Sequence, residues 1–394
     1  MKVLPILLSI GLASALPSHP SRLHRRQDTP SAKTLLLGAP GQILATQFNG
    51  IEFSVVGKDE QPGTGPSWLL FKSPELFYAV NENADKLRLF SFDAQANQLK
   101  QLSEVASSSG VVHLEFNKEK TRMVGSAYGN GTIDIWDTSA TDGSATLIKT
   151  LKSEGTLGPG QLGAHPHQAV LDPTGQFFVV NDLGTDSLIV INSKDDAFDI
   201  ANNFVVESGC GPRHGVFRGS NDGAATHYTV VCERTNKLLT YKLTYSEKSI
   251  DFSDLHSIST FGDAFPPQNA TTAAAGEVVL SANGRDLYVS NRLTGNDTDS
   301  ISHFRASSKG CLTFKSQIPS GGVLPRMISL GGGDDQSILF VGNQKGPNGL
   351  VAYKRDASGF LISVPVAVAG LETFAEAGSD LGPQFVLEVP AASA

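Results

Sequence analysis

The chain has 394 residues and a formal net charge of −8 at pH 7. This charge, together with the absence of basic clusters, argues against nucleic acid as a partner. Three cysteines are too few for a disulfide scaffold. No Gly-rich phosphate loop, Cys-x-x-Cys pair or HExxH motif occurs, so we expect no cofactor and no metal.

The first residues have the layout of a secretory signal peptide, residues 1–15. Lys2 precedes an apolar stretch, and small residues end it at Ala15. The apolar stretch is too short to span a membrane, so we expect no membrane partner. Residues 16–32 form a Pro- and Arg-rich leader or propeptide, which we expect to be disordered. Its Arg25-Arg26 pair is either a processing site or simply part of this basic leader.

Three glycosylation sequons also indicate secretion. They lie at Asn130, Asn269 and Asn296. The Asn130-Gly131 pair equally fits a hairpin turn. Together with the signal peptide, the sequons predict a secreted, extracellular glycoprotein.

One hairpin pattern recurs along the rest of the chain. In residues 163–191, a His-Pro-His-Gln cluster and an apolar run are followed by the turn 172–175, a second apolar strand and a third short strand. Six such copies follow one another, and leftover strands near both termini could pair to complete a seventh blade. The repeats therefore predict an all-β fold, a single seven-bladed β-propeller over residues 33–394.

The repeat also predicts which side chains face the central channel. In a propeller the first strand of each blade lines this channel. Aligning the copies on His167 places these residues at equivalent strand starts: Trp68, His113, His167, His214, Glu277 and Met327. The second strands end in Glu82, Tyr128, Asp182, Glu233, Arg292 and Gln344. Because both rings are mostly polar but varied, we expect a channel mouth that binds one small ligand.

Structural roles compete with this interpretation. A strand-end carboxylate such as Asp182 can simply accept backbone hydrogen bonds, and His113 can be a satisfied channel histidine. Arg213 needs a carboxylate or a bound anion to be buried in a channel. Glu233 and Arg292 could supply its partner in a purely structural ion-pair network.

The cysteines allow one disulfide. Cys210 precedes the first strand of its repeat and Cys232 ends the second, so the hairpin brings them close together. A Cys210–Cys232 disulfide is therefore possible in an oxidising compartment. We expect Cys311 to be unpaired and buried.

Several stretches resemble motifs of the seven-bladed propeller lactonase family, which includes 6-phosphogluconolactonase-like proteins and fungal 3-carboxy-cis,cis-muconate cyclases. They are HPHQAVLDPTGQFFVVNDLG, GPRHGVF, VVCERTNKL and AGEVVLSANGRDLYVSNR. The resemblance covers nearly the whole chain from about Lys33. It implies a cofactor-free active site on the channel axis. The catalytic residues that it implies are His165 or His167, Arg213, Glu233 and Arg292.

This set suits the closing or opening of a small carboxylated lactone. Arg213 and Arg292 could hold a carboxylate, while His165, His167 or Glu233 could act as the general acid or base. The residues that we expect to bind substrate around them are His113, Asp182, His214, Glu277 and Arg326. The alternative is a secreted, non-catalytic propeller that binds a small ligand or a surface partner.

Overall fold

The computed structural model describes residues 32–220, 223–332 and 336–391. Within these ranges the chain forms seven four-stranded antiparallel sheets, which are the blades of the predicted propeller. The predicted signal peptide and all of the predicted leader except Ala32 lie outside the described residues. Among the described residues, no helix is long and apolar enough to cross a membrane.

In every blade the first strand given is the innermost, next to the channel, and the fourth is the outermost. Blades 1 to 3 are β4 (Leu69–Ser73), β5 (Leu76–Ala79), β6 (Lys86–Asp93) and β7 (Gln98–Ala106); β8 (Val111–Phe116), β9 (Arg122–Ala127), β10 (Thr132–Asp137) and β11 (Thr146–Lys152); and β12 (Pro166–Leu171), β13 (Phe177–Asp182), β14 (Ser187–Asn192) and β15 (Asp199–Val205).

Blades 4 to 6 continue this order along the chain. They are β16 (Pro212–Arg218), β17 (His227–Cys232), β18 (Lys237–Tyr245) and β19 (Ile250–Ser259); β20 (Ala274–Leu280), β21 (Asp286–Arg292), β22 (Ser300–Ala306) and β23 (Leu312–Pro319); and β24 (Val323–Leu330), β25 (Ile338–Lys345), β26 (Asn348–Lys354) and β27 (Ala367–Gly370). Two short 3-10 helices, Lys194–Asp196 and Leu371–Thr373, lie between strands.

Blade 7 contains strands from both ends of the chain, as predicted. Its inner strand is β28 (Phe385–Glu388), followed by β1 (Lys33–Ala39), β2 (Gln42–Phe48) and β3 (Phe53–Glu60). β28 pairs antiparallel with β1, from Leu35 opposite Glu388 to Gly38 opposite Phe385. This pairing closes the ring, because it completes blade 7 with strands from both terminal regions.

Burial explains the sequence pattern within a blade. Strands in the middle of a blade are covered on both faces by neighbouring blades, so β13 is apolar except at its end and buried throughout. The outermost strands alternate instead, as β11 does between half-buried and exposed residues. Blades pack through these apolar faces; Phe178 and Val180 of blade 3 lie against Val124 and Ile133 of blade 2.

The predicted turn between β12 and β13 is held by its own side chain. The Asp172 carboxylate accepts hydrogen bonds from the backbone N–H groups of Thr174, Gln176 and Phe177. Gly175 ends the turn with φ of 84°, a value that favours glycine. The hairpin therefore folds as its sequence predicts.

The three cysteines divide as predicted in pairing but not in burial. Cys210 and Cys232 form a disulfide, with their Cα atoms 4.6 Å apart. Cys311 is free but exposed, which corrects the expectation that it is buried. It lies in the turn between β22 and β23, where its side chain is exposed.

We expect the disulfide to stabilise blade 4. It joins residues 22 positions apart, so chain entropy alone predicts a loss of about 3 kcal/mol in the free energy of unfolding when both cysteines become alanine. Urea unfolding of Cys210→Ala/Cys232→Ala should show this loss, with Cys311→Ala as the control that leaves stability unchanged. Equal midpoints for the double variant and the wild type would contradict the expectation.

Candidate active site

Bulges at the starts of the inner strands aim polar side chains into the channel. In β12, Pro166 pairs with Asp182 and Gln168 with Asn181, so His167 is the extra residue. The same irregularity occurs in β8, β16, β20 and β24. A bulge redirects a side chain that regular pairing would hold against the neighbouring blade. The starts of the inner strands thus form a polar channel mouth.

These bulges correct the predicted alignment of blade 3 by one residue. The extra residue is Val112 in β8 and Arg326 in β24, so His167 is equivalent to these two. Gln168, not His167, takes the position of His113 and Met327. In the same register, Leu183 rather than Asp182 is equivalent to the cavity-lining residues at the other strand ends.

A cavity of about 340 Å³ opens at this mouth. Its lining is dominated by charged and aromatic side chains from blades 1 to 6. They are Glu82, Tyr128, His167, Arg213, Glu233, Arg292 and Arg326. Three arginines against two carboxylates give the cavity a net positive charge, which suits an anionic ligand.

Glu233 bridges two arginines at the centre of the cavity. Its Oε2 lies 3.0 Å from Arg213 Nε and 2.8 Å from Arg292 Nη2. The Arg213 contact is an ion pair without hydrogen-bond geometry, whereas Arg292 donates a hydrogen bond. Backbone carbonyls of Gly276 and Ala275 accept further bonds from Arg213 and Arg292, respectively. The structure thus brings together the three charged residues of the predicted catalytic set.

Burial and charge oppose each other at this triad. Burial alone would raise the pKa of Glu233, but Arg292 and Arg213 outweigh it and hold this pKa below its usual value. Burial, reinforced by Arg292, lowers the pKa of Arg213, and Glu233 partly offsets this effect. At neutral pH the carboxylate and both guanidinium groups are therefore charged.

A second ion pair flanks the triad. Arg326 donates from Nη2 and Nη1 to the two carboxylate oxygens of Glu82, at 2.7 Å and 3.3 Å. Arg326 was predicted to bind substrate, and it does line the cavity. The guanidinium group of Arg326 is already paired with a carboxylate. We therefore expect it to act on a ligand mainly through long-range electrostatic attraction.

The structure distinguishes the two histidines of the predicted catalytic set. His167 lines the cavity, is 6% exposed, and has no hydrogen-bond partner for Nδ1 among the described residues. His165 lies behind Tyr128, where its ring stacks at 4.3 Å and its Nδ1 donates to the Tyr128 carbonyl at 2.8 Å. His167 can therefore meet a ligand, whereas His165 supports the cavity wall.

His167 is a neutral imidazole at neutral pH. Burial lowers its pKa well below the usual value, and the nearby charge of Arg213 lowers it further. A neutral ring nitrogen without a partner can accept a proton.

The floor of the channel carries three of the residues predicted to bind substrate. His214 Nδ1 lies 2.8 Å from Glu277 Oε1, and both side chains are buried. Burial raises the pKa of Glu277 to about 8 and, with Arg213, lowers that of His214. The pair therefore carries no net charge at neutral pH, wherever its proton lies. His113 packs against Trp68, with ring centroids 4.0 Å apart and the rings tilted by 38°.

Asp182 does not line the cavity. Its side chain is fully buried and accepts hydrogen bonds from the backbone of His165, Gly184 and Thr185 and from the Ser153 hydroxyl. It ties the loop before β12 to the end of β13, which is the structural role weighed for it above. The one-residue bulge explains the difference.

Two functional positions were not assigned from the sequence. Tyr128 and Glu82 stand in the ring of strand ends, but neither was placed in the site. Both residues occupy the strand-end position that Glu233 and Arg292 occupy in their own blades, and this equivalence could have predicted that they line the site. Among the described residues, no group of three or more His, Cys, Asp or Glu side chains could hold a metal ion.

The match to a known family extends over most of the described propeller. Residues 34–368 match the model of the seven-bladed β-propeller lactonases. The chain belongs to this family. A probable 6-phosphogluconolactonase of Arthroderma benhamiae is 31% identical over 250 residues, which is 61% of each chain. This similarity therefore spans less than two thirds of that relative's length.

Other lactonases resemble the chain over more of its length but less closely in sequence. The 6-phosphogluconolactonase of Bacillus subtilis is 23% identical over 337 residues, covering 84% of this chain and 85% of its own. The periplasmic gluconolactonase of Pseudomonas aeruginosa has the same fold, with a TM-score of 0.74 and 22% identity over 91% of this chain and 99% of its own.

The Glu233 bridge yields a prediction for stability. Glu233→Gln leaves Arg213 buried without its counter-charge, so we expect a loss of roughly 3–5 kcal/mol in the free energy of unfolding at pH 7. Because the folded pKa of Glu233 is lowered, this contribution is complete above the unfolded pKa of about 4.3 and is lost as the pH falls through the folded pKa.

Urea unfolding of the wild type and Glu233→Gln at several pH values measures this difference. The difference in the free energy of unfolding should become smaller in acid. The control Glu376→Gln, at an exposed position, should have the stability of the wild type at every pH. A difference that is absent at pH 7, or that grows in acid, would contradict the ion-pair interpretation.

Proposed function

We propose that this lactonase opens a small anionic lactone by adding water at the axial cavity. One observation carries the proposal: the imidazole of neutral His167, which has no hydrogen-bond partner among the described residues, lines the same cavity as the Arg213–Glu233–Arg292 triad. A general base and fixed positive charge are the two elements that ester hydrolysis requires. The names of the relatives, 6-phosphogluconolactonase and gluconolactonase, support the same reaction class.

The steps follow from the positions of these groups. The imidazole of His167 removes a proton from a water molecule in the cavity as the water oxygen attacks the lactone carbonyl. The carbonyl oxygen becomes an oxyanion, which the guanidinium groups of Arg213 and Arg292 stabilise. The C–O bond of the ring then breaks, and the proton held by His167 passes to the leaving alkoxide. The product is a hydroxy acid, and the histidine is again neutral.

Glu233 serves this reaction as an anchor for the arginines. Its lowered pKa makes it a weak base, because two guanidinium groups stabilise the carboxylate. By bridging them, Glu233 fixes the spacing of Arg213 and Arg292. We therefore assign the base to His167 rather than to the carboxylate.

The substrate class follows from charge and size. A cavity of about 340 Å³ lies at the small end of the range for ligand pockets, about 300–1,000 Å³. Its net positive charge favours a lactone that carries a phosphate or a carboxylate. A phosphorylated sugar lactone, as in the names of the relatives, meets both conditions.

Lactone formation from a carboxymuconate is the second candidate. The adjacent guanidinium groups of Arg213 and Arg292 suit a substrate with several carboxylates. A general acid would then protonate the alkene carbon while a carboxylate adds to its neighbour. An ultraviolet assay that follows loss of the conjugated diene of 3-carboxy-cis,cis-muconate distinguishes this reaction from hydrolysis.

Secretion of the enzyme is a further part of the proposal. The disulfide and the signal-peptide pattern support it, as do three sequons, of which Asn130 and Asn269 are exposed. Expressed in a secreting host, the chain should appear in the medium without residues 1–15 and should lose mass on deglycosylation. Retention inside the cells with an intact N-terminus would refute secretion.

The two neighbouring histidines provide a matched test of the base. His167→Ala should lower kcat by about 10²–10⁴-fold on 6-phosphogluconolactone, because the proton acceptor is lost. His165→Ala, which removes only support for Tyr128, should have a far smaller effect. Since the pKa of His167 is lowered, kcat/KM should stay level to well below the ordinary histidine pKa of about 6.5 and fall only in stronger acid.

The measurement follows acid release after subtraction of spontaneous hydrolysis. Equal losses in both variants would remove the base role from His167. If the wild type turns over neither this lactone nor the muconate, but the lactone still raises its melting temperature, the propeller is a binding protein.

A further inference from the structure

The opposite end of the channel forms a second, apolar cavity. The ends of the inner strands surround about 490 Å³ of space there. We call this cavity the apolar vestibule. Its walls include Val170, Leu171, Val216, Phe217, Leu280 and Leu330, each of which is only partly buried.

The vestibule is separate from the catalytic cavity. Between them the channel narrows to a waist that has almost no free volume. Trp68 and Met327 line both the waist and the vestibule, whereas His167 and Arg213 line the waist and the catalytic cavity. Trp68 is held by edge contact with Phe385 at 5.1 Å and by His113 at 4.0 Å. A ligand in the vestibule therefore meets Trp68, not the catalytic groups.

Strand register places one carboxyl group, that of Glu115, beside this apolar lining, next to Leu114, whose carbonyl accepts a hydrogen bond from Trp68 Nε1. Glu115 in β8 is equivalent to Val170 in β12 and to Ser329 in β24. In each blade this residue pairs with the second strand at the same distance from the bulge: Glu115 with Val124, Val170 with Val179, and Ser329 with Phe340. Both of these equivalents line the vestibule. Glu115 is thus the acidic member of a ring whose other members are apolar or small.

Glu115 has no counter-charge within the described part of the chain. No hydrogen bond or ion pair joins it to a described residue, yet part of its surface is accessible. Burial alone raises its pKa to about 8, with no charged neighbour to oppose the effect. An isolated carboxyl group in apolar surroundings is costly unless something pairs with it.

We propose that the apolar vestibule binds a small amphiphilic amine, whose apolar body fills the ring and whose ammonium group pairs with Glu115. The apolar walls account for the body, and the unpaired carboxyl group accounts for the charge. An anionic amphiphile fits poorly, because it brings no cation to pair with the ionised form of Glu115 and places its own charge in apolar surroundings. The catalytic cavity, with its net positive charge, would repel the same amine, so the two ends of the channel select ligands of opposite charge.

Three probes with one apolar body test this pairing. Octylammonium, octanol and octanoate differ only in the head group and are titrated calorimetrically into the full-length protein below their micelle concentrations. We expect octylammonium to bind at least about tenfold more tightly than octanol, which is about 1.4 kcal/mol, and octanoate to bind most weakly. Binding should also change the fluorescence of Trp68.

Proton release supplies a second readout that needs no variant. Pairing with an ammonium group favours the ionised form of Glu115, whose pKa in the free protein is about 8. Octylammonium should therefore displace up to one proton at pH 7 and almost none at pH 9, where it is itself still charged, since alkylamines titrate near pH 10.4. Titrations in buffers of different ionisation enthalpy measure this proton.

A neighbouring glutamate provides the control variant. Glu115→Gln should abolish both the preference for octylammonium over octanol and the proton release, without loss of lactonase activity. Glu119→Gln, at an exposed position in the following turn, should change neither. Octylammonium binding no tighter than octanol, binding that survives intact in Glu115→Gln, or no binding of any probe would each overturn the proposal.

Discussion

The pairing of β28 with β1 is the constraint on which the rest of the structure depends. Four residues of β28, from Phe385 to Glu388, complete a blade that starts near the other end of the chain. Without them the inner position of blade 7 would be empty, and Leu36 and Leu37 would lose their cover. Because the ring closes, all seven inner strands run in the same direction along one axis. Their starts then meet at one mouth of the channel and their ends at the other.

Because the inner strands are parallel, equivalent positions of the repeats gather at one mouth of the channel and can form a single site. Regular pairing would hold every side chain of an inner strand against a neighbouring blade, since successive residues alternate between the two faces. The bulges near the strand starts interrupt this alternation, and regular hydrogen-bonded pairing with the second strand is lost there. What they provide is a set of positions that point at the axis, occupied by His167, Arg213 and Arg326. The proposed catalytic groups therefore lie where the pairing between strands is least regular.

The same irregularity limits what the sequence could predict. The seven blades, the terminal closure and the association of Arg213 with Glu233 and Arg292 all follow from patterns that extend over many residues. A bulge adds one residue without changing the apolar pattern around it. The alignment of blade 3 was therefore wrong by one position, which placed Asp182 in the ring instead of Leu183. The prediction that Cys311 is buried was wrong for a similarly local reason. A turn residue is covered only if a neighbouring loop reaches it, and the repeat pattern does not show this.

Charge then divides the channel along its axis. At the mouth, three arginines and two carboxylates leave a positive excess beside a neutral His167. At the waist, the Glu277–His214 pair is neutral overall, and Trp68 and Met327 fill the space. Beyond the waist the lining is mostly apolar, and strand register places Glu115 beside it. The packed waist, which has almost no free volume, separates the two ends of this axis. The propeller thus has a positively charged end and a mostly apolar end within a single fold.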